Sequence, residues 1–83
     1  MAEQKLLQLT IARVDGPVFV GEVISVTVPG TEGEMTLLAH HVALISALAA
    51  GTITYKLPDG EIVTYDVTTG TLEVRDNVAT ILV

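Results

Sequence analysis

Thr52-Ile53-Thr54-Tyr55-Lys56-Leu57-Pro58-Asp59-Gly60-Glu61-Ile62-Val63-Thr64-Tyr65-Asp66-Val67 is the stretch whose reading decides the fold. Ile53, Tyr55 and Leu57 alternate with Thr52, Thr54 and Lys56, and Val63, Tyr65 and Val67 repeat the two-residue period on the way back. Such a period puts one set of side chains on each face of a strand. Between the runs, proline presets φ, aspartate can bond its own turn and glycine takes positive φ, so the segment predicts a β-hairpin.

The same pattern extends in both directions. Leu7, Leu9 and Ile11 alternate with Gln8 and Thr10 and stop before the turn cluster Asp15-Gly16-Pro17. Val18-Phe19-Val20 meets Gly21, where a glycine inside a strand predicts a bulge or a close backbone approach. Ile24, Val26 and Val28 alternate with Ser25 and Thr27, and Pro29-Gly30 is expected to end the pairing. Further on, Leu72 and Val74 alternate with polar residues, and Asp76-Asn77 turns the chain into a last strand from Val78 to Val83. Val, Ile and Thr together are 29 of 83 residues, and β-branched side chains suit pleated surfaces better than helices. The chain reads as all-β, a sandwich or barrel of short strands. His41 to Ala50 alone departs from this. It is rich in alanine, and Leu44, Ile45 and Leu48 have the spacing of one helical face, so an irregular crossover or a turn or two of helix is expected there.

Composition limits the function. Eighty-three residues make one domain, 1–83, with a core that needs no staples. The absence of cysteine removes disulfides, thiolate metal sites and thiol redox chemistry. Four cations, Lys5, Arg13, Lys56 and Arg75, against ten carboxylates give a net charge of −6, which argues against a nucleic-acid partner. The longest nearly apolar stretch, Val42 to Ala50, is interrupted by Ser46 and falls far short of the about 20 residues of a membrane helix. Met1-Ala2-Glu3-Gln4-Lys5 lacks the pattern of a secretory signal, so a cytoplasmic location is the default expectation.

Candidates for chemistry are few. His40 and His41, with Glu32 and Glu34 upstream, are where imidazole and carboxylate come close in sequence. Adjacent residues on an extended chain point to opposite faces, so the two imidazoles do not converge on one ion, and surface or interface histidines are expected instead, with no metal. Gly30-Thr31-Glu32-Gly33-Glu34 lacks the Lys-Ser/Thr of a phosphate loop and carries two carboxylates that repel phosphate, so it is expected to be a flexible loop. Ser25 and Ser46 lie in apolar stretches without a nucleophile elbow, and Asp66 and Glu73 fit a solvent face. The default is a non-catalytic binding module without a cofactor.

Four blocks carry a family resemblance. Phe19-Val20-Gly21-Glu22-Val23, Val28 to Glu34 with Leu37-Leu38, His41, Leu44 and Gly51, then Lys56 to Gly60, and Gly70 to Leu82, in this order and nearly ungapped from Leu7 to Val83, resemble the N-terminal domain of the epsilon subunit of F-type ATP synthases. The resemblance implies a flattened two-sheet β-sandwich of eight to ten short strands, with brief strands near Gly33 to Leu38. It implies a non-catalytic central-stalk subunit of a rotary ATP synthase, packed on the gamma subunit and resting on the membrane c-ring. That subunit couples ion translocation to ATP synthesis at the cytoplasmic face of the cell membrane, where it is peripheral. The Gly30 to His41 loop matches the family segment that faces ring and gamma, which makes Glu32, Glu34, His40 and His41 the expected partner contacts. The family usually reads Gly-x-x-Pro-Gly-His-x-Pro around the histidine, whereas this chain has Thr36, Ala39-His40 before His41, and Ala43. Most epsilon subunits continue into two C-terminal helices that brake the motor and in some members bind ATP. The sequence ends at Val83, so a short form without those helices, and without nucleotide binding, is expected. Two rival functions are a small ligand- or carbohydrate-binding sandwich and a metal-dependent enzyme using His40, His41 and Glu34. The first is disfavoured because Phe19, Tyr55 and Tyr65 are its only aromatic residues.

Overall fold

The computed structural model describes residues 5–83, and the expectation about a signal at Met1 to Gln4 lies outside them. Nine strands follow in chain order: β1 Leu7–Arg13, β2 Gly16–Val23, β3 Ser25–Gly30, β4 Gly33–Leu38, β5 Leu44–Leu48, β6 Gly51–Lys56, β7 Ile62–Val67, β8 Gly70–Arg75 and β9 Val78–Leu82. Among the described residues there is no helix, and none therefore long and apolar enough to cross a membrane.

The strands form two layers. One is β2-β1-β9-β8-β5 and the other is β4-β3-β6-β7. They meet at a corner where β3 touches β5 through the single pair Gly30↔Leu48. All pairings are antiparallel except β1 with β9, which run parallel from Gln8↔Val78 to Ala12↔Leu82. At the corner the chain leaves β5 for β6 through Ala49 and Ala50. The Ala49 N–H donates to the Pro29 carbonyl at 2.7 Å. A Cβ on Gly51 would come within 2.9 Å of Pro29 Cβ, so only glycine lets the two chains approach this closely.

The alternation read from the sequence builds the core. Leu7, Leu9 and Ile11 of β1, Val26 and Val28 of β3, Ile53 and Tyr55 of β6, Leu72 and Val74 of β8, and Ala79 and Ile81 of β9 are buried in one cluster. Fully burying a large apolar side chain stabilises by roughly 1.5–3 kcal/mol. Apart from Tyr55 with its phenol group, no described polar or charged residue is buried. The hairpin at Pro58-Asp59-Gly60 forms as expected: the Gly60 N–H donates to the Leu57 carbonyl at 2.9 Å, Asp59 Oδ1 accepts from the Glu61 N–H at 2.9 Å, and Gly60 has φ 94.

Three expectations are corrected. The segment 41–50 is no helix or irregular crossover: its centre is strand β5, paired over all five residues with β8 from Leu44↔Val74 to Leu48↔Gly70. Leu44, Ser46 and Leu48 also have the two-residue period of a strand, and a full ladder overrides the weak helix preference of the alanines. Pairing does not stop before Pro29-Gly30 but runs through Pro29↔Glu34 to Gly30↔Gly33. For the same reason Gly30 to Glu34 is a tight hairpin with only Thr31 and Glu32 in the loop, not a flexible one. At Gly21 the close approach is by a side chain and not by another backbone: its missing Cβ would lie 3.0 Å from Phe19 Cζ. The register slip falls nearby, where Ile11↔Phe19 is followed by Ala12↔Pro17.

Candidate functional site

The strands lie side by side in register, so the connections collect at two opposite ends of them. Ile24, the loops 39–43 and 57–61, the turn Asp76-Asn77 and the start of β1 lie at one end. The turns at 14–15, 31–32, 49–50 and 68–69 lie at the other. This divides the expected contact residues. Glu32 and Glu34 stand exposed at or beside the tip of the β3–β4 hairpin, whereas His40 and His41 follow the far end of β4. The six residues of β4 separate the pairs by about 17 Å at the usual strand rise. The structure therefore does not bring Glu34 to the histidines. Among the described residues no group of three or more His, Asp or Glu is placed to hold a metal ion.

What connects the two pairs is an edge. β4 pairs only with β3, and its Glu34, Thr36 and Leu38 are exposed while Leu37 enters the core. Thr36 Oγ1 lies 3.0 Å from Thr27 Oγ1 across the strands. At the histidine end the chain turns sharply, with the His41 N–H donating to the Leu38 carbonyl at 3.2 Å. His40 has φ 63, a conformation rare for a residue with a side chain. His41 Nδ1 lies 2.8 Å from the Val42 carbonyl, and since a carbonyl only accepts, Nδ1 is the donor there.

Around this loop the surface is apolar. Leu38 is 56% exposed, Val42 74% and Ile45 79%. A groove of about 610 Å³ opens beside them, lined by Ala43, Leu44 and Ile45 with Glu73, Val74, Arg75 and Asp76 of the β8–β9 hairpin. Exposed large apolar groups rimmed by charge suit a protein contact. Nothing in the sequence singled out this groove, because it arises only when β5 pairs with β8. The Asp76-Asn77 pair was legible as a turn but not as a neighbour of His40, whose N–H donates to Asn77 Oδ1 at 2.7 Å. Two of the three aromatic rings are spent on packing: Phe19 and Tyr55 stack at 4.7 Å between centroids. That leaves Tyr65 alone, and half-buried, for a sugar to stack on.

The fold and its surface define a small all-β sandwich that offers an edge strand and an apolar-rimmed loop. Its family follows from comparison with known proteins: residues 6–83 match the model described as ATP synthase, Delta/Epsilon chain, beta-sandwich domain, and the chain belongs to this family. It is 43% identical over 77 residues to the ATP synthase epsilon chain of Nitratiruptor sp., covering 93% of this chain and 60% of that one. To the epsilon chain of Sulfurimonas denitrificans it is 38% identical over 77 residues, covering 93% and 59%. The chain thus spans about 60% of the length of these curated relatives. A chain of the Euglena gracilis mitochondrial ATP synthase, in a structure of its OSCP/F1/c-ring assembly, superposes with a TM-score of 0.89 and 27% identity over 99% of this chain and 52% of that chain. A chain from the central stalk/c-ring structure of the Tetrahymena thermophila mitochondrial ATP synthase shares the fold, with a TM-score of 0.76 at 13% identity.

Proposed function

We propose that the chain is a single β-sandwich unit, 1–83, that works as the non-catalytic epsilon-type subunit of a rotary ATP synthase. It packs on the gamma subunit, rests on the c-ring and passes torque between them, so that ion translocation is coupled to ATP synthesis. In this role it is peripheral to the membrane, at its cytoplasmic face, and holds no nucleotide or cofactor of its own. The observation that carries the reading is the β4 edge. Together with its two flanking turns it presents carboxylates, Glu32 and Glu34, at one end and His40 and His41, among exposed Leu38 and Val42, at the other.

A torque-bearing part must be held at more than one point, and contacts separated by the length of β4 resist rotation better than one cluster. Charged groups at the rim set orientation and approach, whereas Leu38, Val42 and Ile45 supply apolar area that a partner can bury. The test is direct: the chain is mixed with purified gamma subunit and c-ring and passed over a sizing column. Co-elution with both supports the reading, and elution of the chain alone overturns it.

A further inference from the structure

Asn77 lies in the β8–β9 turn with φ 62, and its groups reach two segments far from it in the chain, the 39–43 loop and the start of β1. Its Oδ1 accepts from the His40 N–H at 2.7 Å, its Nδ2 donates to the Leu6 carbonyl at 2.9 Å, and its own carbonyl accepts from the Gln8 N–H at 3.1 Å. His40 is 37 residues away in sequence and Leu6 is 71 residues away. One side chain therefore ties the loop carrying His40 and His41 to the first strand and the last turn.

The tie matters because of the conformation it holds. His40 has φ 63, in the left-handed region that residues with a Cβ enter only when their surroundings impose it. Among the described residues no other side chain bonds to its backbone N–H, and His40 itself is exposed between half-buried Ala39 and His41. We propose that Asn77 is a positioning residue for the contact loop: its amide keeps His40 left-handed, so that His40 and His41 stand at the end of the β4 edge in a shape ready for the partner. Asparagine suits the place because it tolerates positive φ itself and carries both an acceptor for His40 and a donor for Leu6. A loop ordered beforehand loses less freedom on binding, so the benefit appears as partner affinity. The partner's identity rests on the proposed function; the holding of the loop does not.

The experiment compares the chain with Asn77→Gly and Asn77→Asp. Glycine keeps a favoured two-residue turn after Asp76 but removes both amide bonds, and aspartate keeps the acceptor alone. NMR reads the exchange of the His40 amide and its positive φ, with amides along the β1–β9 pairing as the internal reference, and titration reads affinity for gamma plus c-ring. In Asn77→Gly the His40 amide is expected to exchange roughly three- to tenfold faster and to lose its positive φ. The β1–β9 amides keep their protection, and affinity falls about fivefold. Asn77→Asp retains the protection of His40. Unchanged exchange at His40 in Asn77→Gly overturns the proposal, as does a released loop with undiminished affinity, or a parallel loss of protection along β1–β9. If the unaltered chain binds neither partner, the proposed function falls, and the His40 exchange still decides the role of Asn77.

Discussion

The ring of Phe19 on β2 lies against that of Tyr55 on β6, with centroids 4.7 Å apart and planes tilted by 43°, and so joins the two layers of the sandwich. Tilted rings at this distance gain beyond their buried area. A double-mutant cycle with Phe19→Leu and Tyr55→Leu, read by denaturant unfolding, should give a coupling of about 0.5–1.5 kcal/mol. Additive losses would mean that the rings contribute through burial alone.

Gly21 is the floor under that pair. Its missing Cβ would come to 3.0 Å from Phe19 Cζ and 3.5 Å from Cε2. Gly21→Ala should push the ring from Tyr55 and destabilise the sandwich by about 1 kcal/mol or more. The ring-current shifts of Tyr55 in an NMR spectrum report the displacement directly.

Tyr55 also predicts a pH dependence. It is 5% exposed, and burial raises its phenol above the ordinary value of 10.0 because the charged form loses hydration. The folded state therefore holds the proton to higher pH than the unfolded state. The stabilisation is fully present below the unfolded pKa and is lost as pH rises through the folded one. Stability should fall above about pH 10, and Tyr55→Phe should fall less steeply over that range. Equal slopes in the two unfolding series would contradict the assignment.

The β3–β4 hairpin that presents Glu32 depends on Gly30. A Cβ there would meet the Gly33 carbonyl oxygen at 2.7 Å and Met35 Cε at 3.0 Å, so Gly30→Ala must open the tip. The expected cost is about 1–3 kcal/mol. It should come with weaker binding to gamma and c-ring, measured by calorimetry well below the melting temperature.

Most of the architecture was legible because period two and turn chemistry agreed along the chain. Leu7, Leu9 and Ile11 all became core, and Pro58-Asp59-Gly60 became the hairpin. Strand β5 was not legible, since Leu44, Ile45 and Leu48 satisfy a helical face while Leu44, Ser46 and Leu48 satisfy a strand. Only the long-range ladder with β8 decides between them. The contact residues were legible by type and family likeness but not by place. Glu34 and His41 are seven residues apart, yet whether that spacing closes a site or spans a strand depends on Gly30 to Leu38 being a tight hairpin.

The separation of Glu34 from His41 by β4 has a consequence for binding. Sites farther apart than about 10 Å with no shared partners act additively. Glu34→Gln and His41→Ala should each weaken binding to gamma plus c-ring by roughly two- to fivefold, as rim groups do, and the double variant by the product. Added salt should reduce the effect of Glu34→Gln more than that of His41→Ala. A strongly non-additive double variant would place both residues in one contact.

The most direct test of the central claim is ion-driven ATP synthesis in vesicles carrying an ATP synthase depleted of its epsilon subunit, with and without this chain added back. The chain is expected to restore synthesis, and Asn77→Gly to restore it less fully at limiting concentration. Synthesis that stays at the depleted level at saturating chain would contradict the claim.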